Sequence, residues 1–182
     1  MNPQRRKRLQ LIAVMLIFLA PMVVAFTLHL LDWQPGQTRN FGKLVQPPVD
    51  IADDPATVTG GQPYAWKDIE YRWTLVLIAG PGCAKNCQAR LGEAEKLWSV
   101  MTQKARRLRL AAIQFPSDLR PADAKTRIQF VDSKAQALLG LAPAQLDSVV
   151  AAIVDPAGKL MLHYDANYDA AAVRQDLSKL IR

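Results

Sequence analysis

Three regimes of apolar and polar positions follow one another along the 182 residues. From Leu9 to Leu31 the chain is apolar almost without interruption, broken only by Gln10, Pro21, Thr27 and His29. At a rise of about 1.5 Å per residue such a run spans roughly 30 Å, the hydrocarbon thickness of a bilayer. From Asp32 to Pro63 the chain is rich in Pro, Gly and polar residues: Pro35-Gly36, Pro47-Pro48, Asp53-Asp54-Pro55 and Gly60-Gly61. A segment of that kind buries little alone and reads as a stalk, with a short strand near Leu44-Val45 able to dock on the next domain. The remainder, 64–182, is about 120 residues long, the size of one small domain.

Within that remainder the periodicity changes several times. Tyr71 to Ala79 is nearly all apolar, as expected for a central strand covered on both faces. Cys87, Leu91, Ala94, Trp98 and Met101 recur at helical spacing and mark one face of a long helix. Leu108 to Ile113 predicts a second strand, ended by Phe115-Pro116, and Val149 to Val154 a third. Asp155-Pro156-Ala157-Gly158 has the residue order of a tight turn, so Lys159 to Tyr164 should return as a hairpin partner. A short helix is expected over Ser133 to Leu139. A final helix should be capped by Asp169, with Val173, Leu177 and Leu180 on its inner face. Asp118 to Lys134 is polar and carries no clear period. Strand, helix, strand, helix, hairpin and helix is the order of a thioredoxin-like α/β fold, a mixed sheet flanked by helices.

Charge changes the reading of the first regime. Arg5, Arg6, Lys7 and Arg8 precede the apolar run, and no acidic residue occurs before Asp32. A cleavable signal peptide is the competing reading, with a weak site at Val24-Ala25. Its apolar core needs only roughly 7–15 residues, so the longer run here favours an uncleaved anchor. Positive residues stay cytoplasmic, which sends the rest of the chain across the membrane, in a bacterium into the periplasm. The expected organisation is a basic leader (1–8), a transmembrane helix (9–31), a stalk (32–63) and a thioredoxin-like domain (64–182). The formal charge of +7 is then mostly a topology signal: taking the four leader cations from 23 Lys and Arg leaves 19 against 16 acidic residues. Nucleic acid is not an expected partner, and Lys104, Arg106, Arg107 and Arg109 read as the solvated end of a helix.

The candidate chemistry lies in Cys83 and Cys87, the only cysteines, which follow the first strand through Gly80-Pro81-Gly82. A thiol at the start of a helix is made more acidic by the unpaired N–H groups of the first turn and by the helix dipole. The intervening Ala84, Lys85 and Asn86 let the two sulfurs stand about a helical turn apart, and Lys85 adds a positive charge between them. Three readings stay open: an exchanging dithiol, a structural disulfide, or a soft-metal site. A loop this short gains little from cross-linking. Zinc would need two further ligands, and one histidine, His163, remains beyond the anchor. Copper(I) suits two thiolates better. If the strand holding His163 is the sheet edge, it lies two strands, roughly 10 Å, from the strand leading to Cys83, which favours an exposed, non-ligating edge histidine. Met161, Trp66, Trp73 and Trp98 read as packing residues. No Ser-His-Asp set, phosphate loop or paired-carboxylate site stands out.

The strand, the Gly-Pro-Gly lead-in and the Cys-x-x-x-Cys over Lys67 to Leu91 resemble the Sco/SenC proteins, as do the anchor, stalk and Val149–Tyr164 hairpin. That resemblance implies a membrane-anchored thioredoxin fold that serves assembly of the copper centre of cytochrome c oxidase. It implies Cys83 and Cys87 as the exchanging pair and as copper ligands, with Cys83 attacking and Cys87 resolving. The family's third ligand is a histidine ahead of the Asp-x-x-Gly turn; here that stretch reads Gln145-Leu146-Asp147-Ser148. Asp147 is the nearest candidate ligand and His163 the other, and a carboxylate is a poor partner for Cu(I). The expected cofactor is therefore none or copper. The expected partners are the inner membrane and the copper-site subunit of the oxidase. A general periplasmic thiol-disulfide reductase and a non-catalytic interaction protein are the alternatives.

Overall fold

The computed structural model describes residues 3–31, 40–120 and 126–181. They form two compact units that divide at Arg39. The first is one helix, α1 (Pro3–Leu30), containing Pro21. From Leu11 onward its described side chains are apolar on all sides apart from Thr27 and His29, and Gln4–Leu30 is long and apolar enough to cross a membrane. This helix fits a single-pass anchor.

The second unit is built on a seven-stranded sheet. In chain order its elements are β1 (Lys43–Asp50), β2 (Ala56–Val58), β3 (Trp73–Ala79), α2 (Lys85–Val100), β4 (Leu108–Ile113), β5 (Ile128–Ser133), α3 (Gln136–Leu139), β6 (Val149–Val154), β7 (Lys159–Tyr164) and α4 (Ala170–Leu180). The strands lie in the order β1-β7-β6-β3-β4-β5-β2. β3 pairs in parallel with β4 and antiparallel with β6, which makes the sheet mixed and puts β3 at its centre. Six of the seven β3 residues are buried, the two-sided cover that its apolar run predicts.

Alternate residues of these strands feed two cores. One face carries Leu75, Leu77, Ala151 and Ile153 against Cys87, Leu91, Ala94 and Leu97 of α2 and Val173 and Leu177 of α4. The other face carries Val76, Ile78, Ala152 and Val154 against Ile51, Trp66, Ala135 and Leu138. Asp169 caps α4 as its position predicts, accepting from the Ala171 N–H at 2.9 Å. In the β6–β7 turn, Asp155 Oδ1 accepts from the Ala157 and Lys159 N–H groups at 2.9 and 2.8 Å. Gly158 closes that turn at φ +86°, and a Cβ there would stand 2.7 Å from the Ala52 Cα. Gly158→Ala combines a left-handed backbone with a backbone clash, so it should cost about 2 kcal/mol, read as a lower denaturation midpoint.

Several expectations change. Residues 32–39 lie outside the described residues, but two segments of the rest of the predicted stalk, β1 and β2, belong to the sheet. β1 pairs along β7 and β2 along β5, and Ile51 and Ala56 are buried. Backbone hydrogen bonds to a preformed edge supply what this segment lacks in apolar content. β5 is a strand within the stretch that showed no period; 121–125 lie outside the described residues. The central strand starts at Trp73 because Tyr71 holds φ +56° and stays exposed. Arg109 is not a solvated helix end. It lies on β4, and its Nε stands 2.9 Å from the buried Asp68 carboxylate, which also holds Arg72 at 3.0 Å.

Candidate functional site

Beyond Ala79 the chain leaves the centre of the sheet through Gly80-Pro81-Gly82 and enters α2. A Cβ on Gly80 would meet the Gln145 and Pro143 carbonyl oxygens at 2.8 and 2.9 Å, because the loop that precedes β6 crosses directly over this turn. Two backbone bonds tie turn and loop: Gly80 N–H to Ser148 O at 2.8 Å, and Asp147 N–H to Pro81 O at 3.0 Å. Cys83 and Cys87 are joined in a disulfide, with Cα atoms 5.5 Å apart. Cys83 is half-buried at the rim, and Cys87, one turn inside α2, is fully buried. Lys85 and Asn86 between them are exposed, as is Leu146, whose side chain lies over Gly82. The bond joins a half-buried sulfur to a fully buried one. Reduction would release a half-buried thiol backed by a fully buried one.

The start of α2 has no cap of its own, since its N-cap residue is Ala84. The first N–H bonded within the helix is that of Gln88, to Ala84 O. The orphan donors are therefore those of Ala84, Lys85, Asn86 and Cys87. Three of them go to Asp147: Ala84 N–H at 2.7 Å, Asn86 N–H at 3.0 Å and Cys87 N–H at 3.2 Å. Asp147 itself holds φ +47°, a conformation Asp tolerates, which aims its carboxylate at the helix. The Asn86 and Ala84 bonds, then that of Cys87, hold its carboxyl below the usual carboxylate range. What the charged cap contributes is thus present above the ordinary value of 3.8 and is lost only as pH falls through the lowered one. Sequence reasoning proposed Asp147 as a copper ligand and missed this role. The available signal was the absence of a local cap at Ala84.

His163 does not join the cysteines. β7 is not the sheet edge, since β1 lies outside it and Lys43 pairs with His163. His163 is level with Ala152 on β6, and through it with Val76 in the middle of β3. Those two residues belong to the core on the sheet face opposite α2. Directly paired residues share a face, so the imidazole points away from the disulfide. It lines a groove of about 740 Å³ with Lys43, Pro143 and Tyr168. His163→Ala should therefore leave the rate of disulfide exchange within twofold of wild type in a reductant-coupled assay.

Beyond the two sulfurs the described residues bring no third copper ligand to the site. Two sulfurs are available, the Asp147 oxygens are taken by backbone donors, and His163 faces the other side. Among the described residues no group of three or more His, Cys, Asp or Glu side chains is placed to hold a metal ion.

Comparison with solved structures identifies the fold. The apo Sco1 protein of Thermus thermophilus superposes with a TM-score of 0.54 at 15% identity, covering 80% of this chain and 99% of that one. A SCO1/SenC family lipoprotein from Bacillus anthracis str. Ames gives 0.51 at 14% identity, over 76% and 99% of the two chains. Yeast Sco1 with copper bound gives 0.51 at 12% identity, over 80% and 94%. Comparison with curated proteins finds no match. The profile described as transmembrane-like, thioredoxin-like, C-terminal domain matches residues 73–182, a span that begins at β3 and takes in both cysteines, and this chain belongs to that family.

Proposed function

We propose that the protein is a membrane-anchored thiol-disulfide oxidoreductase that acts in the periplasm on a copper-site subunit of cytochrome c oxidase. The observation that carries the reading is the Cys83–Cys87 disulfide at the start of α2, one sulfur at the rim and the other buried. The structural likeness to Sco proteins supports the choice of client class, and the basic leader before α1 supports the orientation.

In the reduced protein the Cys83 thiolate attacks one sulfur of a client disulfide. A mixed disulfide forms, and the client's other sulfur leaves as a thiolate that takes up a proton. Cys87 then loses its proton and attacks the Cys83 sulfur, expelling the client's remaining thiolate. The client is reduced by two electrons and Cys83–Cys87 is oxidised. A dithiol reductant must restore the pair for another cycle.

The full chain in detergent tests this. It should be reduced by dithiothreitol without unfolding and should then reduce a peptide carrying two disulfide-bonded cysteines at the client's spacing. A disulfide that resists reductant until the chain unfolds would make the bond structural and sink the proposal. Tight one-to-one Cu(I) binding, lost in both Cys83→Ser and Cys87→Ser, with no exchange, would replace it by copper handling.

A further inference from the structure

We propose that Asp147 is the positioning residue that sets the reduction potential of the Cys83–Cys87 pair, by filling the N–H donors at the start of α2 that a Cys83 thiolate would otherwise use. The inference rests on the exchange reading above and deepens it, because it says how the site is tuned.

A thiolate at a helix start is stabilised by unpaired N–H groups and by the positive end of the helix dipole, worth roughly half an elementary charge. Here three of the four orphan donors of α2 already bond to the Asp147 carboxylate, at 2.7, 3.0 and 3.2 Å. A full negative charge therefore sits where the helix offers its partial positive one. The thiolate formed on reduction meets filled donors and a like charge. The disulfide is neutral and does not feel that repulsion. Relative to a site without the carboxylate, the oxidised form is favoured at any pH where the thiol would ionise, so the dithiol is the stronger electron donor on the alkaline side of the thiol titration.

The other charged groups nearby do not cancel the effect. Lys85 lies between the cysteines but is exposed. Arg90, further along α2, is paired to Glu93 at 2.7 Å and bonds to the Tyr168 carbonyl. Lys43 on β1 is paired with Asp165 after β7 at 2.7 Å. His163 faces the opposite side of the sheet. The lowered carboxyl keeps Asp147 charged throughout the pH range in which thiols titrate.

The prediction has a pH signature that a merely structural cap lacks. Asp147→Asn keeps an acceptor oxygen and removes the charge. Loss of one unit of charge at a helix terminus should lower the Cys83 alkylation midpoint by about one pH unit from the ordinary thiol value of about 8.5. The equilibrium constant for reduction by dithiothreitol should then rise about tenfold at pH 9.5, which is about 30 mV for a two-electron couple. At pH 6, where both proteins hold neutral thiols, the two constants should agree within twofold.

Full-length wild type, Asp147→Asn and Lys85→Gln are equilibrated anaerobically in dithiothreitol redox buffers at pH 6 and 9.5. Thermal scans establish that each is folded. Lys85→Gln removes an exposed positive charge and should move the alkylation midpoint upward, which checks that the assay reads local charge. An Asp147→Asn curve that matches wild type at pH 9.5, or that is displaced equally at both pH values, overturns the inference. A wild-type disulfide that cannot be reduced in the folded chain overturns the exchange reading, and this inference with it.

Discussion

Cys83→Ser is expected to abolish exchange, a loss of at least about a thousandfold in the rate of client reduction, because a serine hydroxyl at neutral pH supplies almost no anionic nucleophile. Cys87 cannot substitute for it, being buried behind Cys83 on the inner face of α2. Cys87→Ser should fail differently. Its Cys83 attacks normally but has no resolving partner, so a mixed disulfide with the client accumulates and can be seen on a non-reducing gel. Neither variant should unfold. A five-residue loop gains only about 2 kcal/mol from cross-linking, so both should keep a cooperative transition. Equal, partial losses in the two variants would contradict the division of labour between an attacking and a resolving sulfur.

Asp176→Ala should produce the largest loss of stability, about 3–5 kcal/mol. Asp176 is 1% exposed on α4, and one of its oxygens accepts from the Phe41 N–H at 2.8 Å, the Gly42 N–H at 3.0 Å and the Tyr164 hydroxyl at 3.0 Å. Lys179 reaches the other oxygen at 3.2 Å. Burial, then the Asp176 charge, push the Tyr164 phenol well above its usual range, so it remains a donor. Truncation strands three donors at once. The same contact fastens the chain just before β1. The variant should therefore show faster amide exchange at Phe41 and Gly42 together with a lower denaturation midpoint. Asp176→Asn retains one acceptor oxygen and should lose less than half as much. An Asp176→Ala midpoint within experimental error of wild type would show that these donors find water instead.

What could be read in the sequence follows from where the information resides. β3, β4 and β6 are buried on both faces, so their apolar runs are visible without knowledge of their neighbours. The inner face of α2 and the Asp169 cap of α4 are local patterns of the same kind. β1 was reduced to a short strand near Leu44-Val45 because an edge strand with mostly exposed side chains has no apolar alternation. β5 was missed although Ile128, Phe130 and Val131 are buried, since the polar chain before it masks so short a run. At the site, the position of the cysteines after β3 was legible. The role of Asp147 was not, because it caps a helix that starts some sixty residues earlier and depends on the loop crossing Gly80. For His163 only the edge position fails, since one extra strand lies outside β7, and only strand register reveals which face its side chain takes.

The segment Lys43–Val58 supplies the outermost strand on both sides of the sheet. Each is a poor template for further strands. β1 carries Pro47 and Pro48, which lack N–H groups, and its register shifts between Leu44 and Val49; β2 is three residues long. A fragment cut at Tyr64 would lose both and leave β7 and β5 as bare edges, open to pairing with other copies. Sixteen residues of unpromising sequence thus cover both edges of the sheet against such pairing.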